Sequence, residues 1–243
     1  MILPGRTRGS APAQKKQALL AALRMSEVFD VVSAYRCSVK RALKYPDPKR
    51  RESAMSAIVD EIDQLLRTKA IVSVARSEIP AGLFARRVLP SHMFLKDKFF
   101  ADGTFERIKA RLVAGGDFLS AAESGETASP TVNPTTVMAM INIAASMDLE
   151  ISCHDIKGAF LVPHMDKDEE PIYIKLDGEV ARILCDRAPQ YKRYMDSKGQ
   201  VIVQLKRYLY GLPQAGRKWN EHMHKKLTDI GFRRTKGDAC AYV

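Results

Sequence analysis

The chain has 243 residues, 46% of them hydrophobic, enough for one large domain or two small ones around a sizeable core. Lys and Arg number 39 against 28 Asp and Glu, and the net charge of +11 suits a polyanionic partner. No apolar run is long enough to span a bilayer, and Met1 to Arg6 lack the apolar stretch of a secretory signal, although the basic, acid-poor stretch from Arg6 to Arg24 fits a transit peptide.

The charge is unevenly spread. Residues 1–50 hold 11 Lys/Arg against 3 Asp/Glu, whereas residues 51–243 hold 28 against 25. The sequence therefore divides into a basic, partly disordered arm over 1–51 and a folded body over 52–243. Within the arm, residues 1–14 are rich in Gly, Pro, Ser and Arg and are expected to be disordered. Gln17 to Val32 is expected to be helical. Tyr45-Pro46-Asp47-Pro48 breaks the chain.

An amphipathic helix follows from about Glu52 to Thr68, with Met55, Ile58, Val59, Ile62, Leu65 and Leu66 at helical spacing. Short strands are expected at Ile71–Ala75, Arg87–Leu89 and Met93–Lys96. Arg107 to Val113 alternates, with Ile108, Ala110 and Leu112 on one face and Lys109 and Arg111 on the other. Asn133-Pro134 reads as an N-cap with proline at the first helical position. That helix is expected to reach Met147 and to bury Val137, Met140, Ile141 and Ala144. Leu149 to Asp155 reads as a strand, and Asp166 to Glu170 as an exposed acidic loop. Strands at Ile172–Leu176 and Val201–Leu205 flank a helix over Glu179–Arg187. Ala215 to Ile230 reads as a helix with Trp219, Met223, Leu227 and Ile230 inward, and Thr235 to Val243 as a last strand. Helices and strands mix without a regular βαβ rhythm, which argues for an α+β fold.

Few residues carry chemical signals. Cys37, Cys153, Cys185 and Cys240 form no C-x-x-C pair, so the expectation is reduced, mostly buried thiols in an intracellular protein, cytoplasmic or nuclear. No phosphate-binding glycine motif is present. His222 and His224 are two apart on a helix and point to different faces. Asp155, among the apolar Ile156, Ala159 and Phe160, is either a turn former or a carboxylate for a metal such as Mg²⁺, which prefers hard oxygen ligands. Lys109 and Arg111 are either a solvated basic face or a grip for phosphates. Gln214 follows a tight Gly-Leu-Pro turn, either entering a helix or offering its amide to a nucleotide. Phe160 is either core or a ring beneath a sugar.

Taken in order, these segments resemble the reverse transcriptase domain of copia-type retrotransposons, over about residues 52–243. The resemblance rests on Lys109 to Ala114, Glu126 to Val132, Asp155 to Leu161, Leu209 to Ala215, and Gly231, Phe232, Asp238, Tyr242 and Val243. It implies the fingers and partial palm of a right-hand polymerase, without the thumb. It also implies RNA-directed DNA synthesis by two-metal nucleotidyl transfer. Asp155 would be a catalytic, metal-binding aspartate with Mg²⁺ as cofactor. Lys109 and Arg111 would face the incoming triphosphate, Phe160 would be the sugar gate, and Gln214 would line the nucleotide pocket. The partners would be an RNA template, a DNA primer and deoxynucleoside triphosphates, with no membrane. Gly115 stands where the family usually has arginine, and Gly216 where it usually has proline. The family's second catalytic motif, a tyrosine-any-aspartate-aspartate hairpin, is not in this sequence, and no Asp-Asp pair occurs anywhere in it. The expectation is therefore a polyprotein fragment that is inactive by itself and prone to self-associate through an unpaired sheet edge. The alternative is a non-catalytic nucleic-acid-binding module that uses the basic arm.

Overall fold

The computed structural model describes residues 36–166 and 168–243. The disorder expected over 1–14 and the helix expected over Gln17–Val32 lie outside those residues. The described elements are β1 (Arg36–Ser38), α1 (Val39–Ala42), α2 (Pro48–Arg67), β2 (Ile71–Ser73), α3 (Ala81–Arg87), β3 (Val88–Phe99), β4 (Phe105–Ala114), α4 (Ala121–Ser124), α5 (Pro134–Ser146), β5 (Tyr173–Leu176), α6 (Gly178–Arg187), β6 (Val201–Leu205) and α7 (Ala215–Asp229). They build a mixed α+β fold on one six-stranded sheet, ordered β1-β3-β5-β6-β2, with β4 also paired to β3. The β3–β5 pairing is parallel and the others are antiparallel.

Residues 36–47, within the stretch expected as a basic arm, carry β1 and α1 and bury Cys37, Val39 and Ala42 in the common core. The Asp47 carboxylate then accepts the Lys49 N–H at 3.0 Å, and Pro48 occupies the first turn of α2, where its missing donor costs nothing. The helix buries Ala54, Ala57, Ile58, Ile62 and Leu65, while Met55 points out at 41% exposure. The buried stripe packs on the sheet centre, where Leu89, Leu95, Leu112, Ile174, Leu176 and Leu205 are almost fully buried. An Arg187 fork on both oxygens of Asp63, at 2.9 and 2.7 Å, ties α6 to α2.

The two short strands expected at Arg87–Leu89 and Met93–Lys96 are one twelve-residue strand, β3. It pairs with β5 through Val88–Pro90 and with β4 from Ser91 onward. The acidic loop is exposed as expected but not free of partners. Glu170 takes both arms of the Arg86 guanidinium at 2.7 Å, and Asp166 and Glu169 both pair with Lys218.

Four expectations fail. Leu149 to Asp155 forms no strand, because no other strand lies beside it among the described residues; alternation cannot make a ladder without a partner. Leu149 and Ile151 are 54% and 65% exposed. The helix after Asn133 forms as expected, with the Asn133 side chain accepting the Thr135 N–H at 2.9 Å, but only Ala144 of its four inward residues is buried. Thr235 to Val243 is a turn closed by one bridge, Arg234 to Tyr242, not a strand. In α7 and its C-cap, Trp219, Met223 and Leu227 are half-buried, but Ile230 is 71% exposed.

Candidate nucleotide-facing site

The geometry of the site begins with β4. Ile108, Ala110 and Leu112 are buried, so the pleat turns Lys109 and Arg111 to solvent. Two donors on the strand's free edge are satisfied by α2. The Ser53 hydroxyl accepts the Ile108 N–H at 2.9 Å, and the Glu61 carboxylate accepts the Leu112 N–H at 2.8 Å. Side chains of α2 thus replace the missing ladder and hold the register of Lys109 and Arg111. Burial pushes the Glu61 carboxyl above its usual range, against the opposing pull of the Leu112 N–H, Arg111 and Lys109.

Where β4 ends, the turn after β6 docks against it. Ala114 donates its N–H to the Tyr210 carbonyl at 2.8 Å, and Gly211 adopts φ +90°. A Cβ on Gly211 would strike the Ala114 carbonyl oxygen and lie 2.6 Å from Val113 Cγ1. The backbones approach this closely only because that residue is glycine. Gly115, standing where the related pattern has arginine, presses on Pro90: a Cβ there would lie 2.8 Å from Pro90 Cγ. A larger residue requires Pro90 to move.

This docking gathers side chains that are far apart in sequence. The Arg111 guanidinium stands 5.2 Å over the Tyr210 ring centroid. The Phe160 ring meets the same ring edge-to-face, with centroids 4.9 Å apart and planes at 61°. Phe160 rides on a 3₁₀ turn, Ala159–Leu161, and is half-buried, packed on the core through one side. Arg207 locks that turn by donating to the carbonyls of Leu161 (3.1 Å), Val162 (2.5 Å) and Thr68 (2.8 Å). Gln214 occupies the N-cap position of α7 just beyond the docked turn, without a capping hydrogen bond from its side chain. It is 3% exposed, and its amide oxygen finds no donor among the described residues. A buried acceptor left bare costs about 1–3 kcal/mol.

Asp155 is placed otherwise. It lies on the exposed, unpaired segment five residues before Phe160 and makes no hydrogen bond or ion pair among the described residues. Its neighbour His154 meets the Ser152 hydroxyl at 3.2 Å. No group of three or more His, Cys, Asp or Glu that could hold a metal is assembled among the described residues. Asp155 supplies a single carboxylate, so these residues do not by themselves fit a two-metal centre.

The solvent face of the β3–β4 hairpin is strongly basic. Lys96 lies directly opposite Lys109, Lys98 opposite Arg107, and Phe94 opposite Arg111. All six are exposed. Like charges placed opposite one another in a ladder are destabilising unless an anion lies between them. Among the described residues Arg107 has an acidic partner, Glu106 at 3.3 Å, while Lys96, Lys98 and Lys109 form no ion pair. Reading by periodicity found Lys109 and Arg111 but missed Tyr210, Arg207 and the Lys96/Lys98 row. The aromatic pair before the Gly-Leu-Pro turn and the alternation of β3 were the signals available.

Residues 85–243 match the family model described as reverse transcriptase (RNA-dependent DNA polymerase). The chain belongs to the reverse transcriptase family. Its relatives make it a copia-type domain. It is 30% identical over 207 residues to a retrovirus-related Pol polyprotein from transposon TNT 1-94 of Nicotiana tabacum, covering 84% of this chain and 14% of that protein. It is 28% identical over 151 residues to a Pol polyprotein from transposon RE1 of Arabidopsis thaliana, covering 60% and 9%. Against the transposon Ty1-BL Gag-Pol polyprotein of Saccharomyces cerevisiae it is 29% identical over 202 residues, covering 81% and 10%. The chain thus spans about a tenth of the length of these curated relatives. No solved structure matches it. No helix among the described residues is long and apolar enough to cross a membrane.

Proposed function

We propose that residues 52–243 form the fingers and part of the palm of a copia-type reverse transcriptase, that the basic stretch 1–51 before them contributes β1 and α1 to the same core, and that the chain works inside the cell on an RNA template and a DNA primer. The observation that carries this reading is the meeting of Arg111 and Phe160 on the ring of the docked Tyr210, with Gln214 four residues on at the start of α7. Lys109 and Arg111 grip the triphosphate of an incoming deoxynucleotide. Phe160 packs under the sugar, and Gln214, whose amide oxygen is buried without a donor among the described residues, lines the nucleotide pocket. Asp155 would contribute one ligand to Mg²⁺, which would supply charge stabilisation there. One carboxylate does not make a two-metal centre, so this chain alone binds nucleotide without extending a primer.

The test is calorimetric titration of the full chain with dTTP and with thymidine. The triphosphate is expected to bind and the nucleoside to bind far more weakly. Arg111→Gln removes a charge-assisted contact worth about 1.5–3 kcal/mol and is expected to weaken dTTP at least tenfold. Equal binding of thymidine and dTTP, or an unchanged Arg111→Gln variant, would remove the assignment.

A second reading, nucleic-acid binding without chemistry, is favoured by the opposed cations Lys96/Lys109 and Lys98/Arg107 and by the arm's charge. It requires oligonucleotide affinity that falls steeply with salt and is indifferent to free dTTP. Competition by dTTP favours the first reading.

A further inference from the structure

We propose that Tyr210 is a positioning residue that couples the triphosphate grip to the sugar gate. The proposal rests on the roles given above to Arg111 and Phe160 and adds what joins them. Arg111 belongs to β4, Phe160 to a 3₁₀ turn 49 positions later, and Tyr210 to a third segment, yet both side chains touch the same ring. The guanidinium lies over that ring and the Phe160 ring meets it edge-to-face, so the two partners are held through one rigid plate.

The plate itself has little freedom. Its carbonyl takes the Ala114 N–H, Val113 and Tyr210 form a parallel bridge, and Gly211 lets the turn press directly on β4. Tyr208, two residues earlier, is fully buried in the core, whereas Tyr210 is half-exposed beside the exposed Arg111. The ring is therefore not needed to fill the interior.

A flexible arginine pays rotamer entropy when it is immobilised on a ligand; stacked in advance on an aromatic face, it has already lost that freedom. An aromatic face is required, because a cation is drawn to the ring's electron-rich surface and gains nothing comparable from an aliphatic side chain. The hydroxyl is not required. Loss of the ring frees the guanidinium and at the same time removes the wall that sets the tilt of Phe160, so one substitution disturbs both affinity and sugar preference.

The experiment measures dUTP and UTP affinities of the full chain for wild type, Tyr210→Phe, Tyr210→Leu, Arg111→Gln and the Tyr210→Leu/Arg111→Gln double variant. Melting temperatures are recorded for each, and the Arg111 Nε proton resonance for the three proteins that keep the arginine. Tyr210→Phe is expected to match wild type. Tyr210→Leu is expected to weaken dUTP about three- to tenfold and to narrow the dUTP-over-UTP preference. The double variant is expected to bind no more weakly than Arg111→Gln alone, because the ring acts through the arginine. If Tyr210→Leu melts early, Tyr210→Met takes its place. Wild-type affinity and preference in the aliphatic variant, or a full additive loss in the double, would overturn the coupling. If wild type binds neither nucleotide, the nucleotide-site reading fails, and the positioning is read from the resonance alone. The wild-type Nε proton is expected to be displaced by the ring current, retained in Tyr210→Phe and returned to the position of a free guanidinium in Tyr210→Leu. An unchanged resonance in Tyr210→Leu overturns the contact itself.

Discussion

Glu61 shows how one side chain joins helix, strand and site. It satisfies a backbone donor on the edge of β4, and it lies close enough to Arg111 and Lys109 to feel their charge. Burial outweighs these favourable contacts and raises its carboxyl above the usual value of about 4.3. A raised acid favours the folded state fully below the unfolded value, and that contribution is lost as pH rises through the folded value. Glutamine keeps an acceptor for the Leu112 N–H without a charge to bury. Glu61→Gln is therefore expected to be more stable than wild type at pH 7, with the difference vanishing below about pH 4. Denaturant melts at both pH values check it; equal stability at pH 7 and a gap at pH 4 would reverse the sign. Alternation along β4 made the outward direction of Lys109 and Arg111 readable. The partners of Glu61 and Tyr210 are contacts between distant segments, and no local pattern encodes them.

At the scale of elements, the docking of the Tyr210–Pro213 turn on the end of β4 decides the site. Gly211 and Gly116 face each other there: a Cβ on Gly116 would strike the Gly211 carbonyl and lie 2.6 Å from Pro213 Cδ. Gly211→Ala combines a left-handed backbone with a collision against backbone atoms. It is expected to cost more than about 1 kcal/mol, which lowers the melting temperature by at least about 2–4 °C. Gly103 shares the positive φ, at +83°, but a Cβ there meets nothing within 4 Å. Gly103→Ala is the control for conformational strain alone, and equal losses at the two positions would show that the docking contact contributes nothing. α5 begins at its Asn133-Pro134 signal as expected, whereas α2 begins at Pro48, ahead of the expected Glu52, because Asp47-Pro48, which reads in sequence as a break, is its cap and first turn. The strand expected over Leu149–Asp155 fails because a strand is defined by its neighbour.

Over the whole molecule, several large apolar side chains are left uncovered by the other described residues. Met138, Met140, Ile141 and Ile143 of α5, Met147, Leu149 and Ile151 after it, and Ile230 and Phe232 after α7 are exposed by 43–71%. Asp238 links these regions by accepting the Asn133 N–H at 2.8 Å and the Cys240 N–H at 2.8 Å. Exposed apolar surface on this scale drives association, and the unpaired backbone of 149–156 offers a strand edge. The chain is expected to self-associate, with a sedimentation coefficient that rises with concentration, and Met140→Glu with Ile151→Lys is expected to restore a monomer. A wild-type chain that stays monomeric throughout would show that these side chains do not drive association.

The sequence by itself determined the family, the α+β class, most element positions and the outward basic face of β4. Each follows from order, capping or period along the chain, which are local properties. Tertiary structure alone decided that Leu149–Asp155 stays unpaired, that α5 buries one residue of its expected four, and that Arg111 and Phe160 meet on Tyr210. The physical reason is the same in each case. Burial, pairing and side-chain contact are relations between segments, and periodicity states which face is apolar but not what lies opposite it.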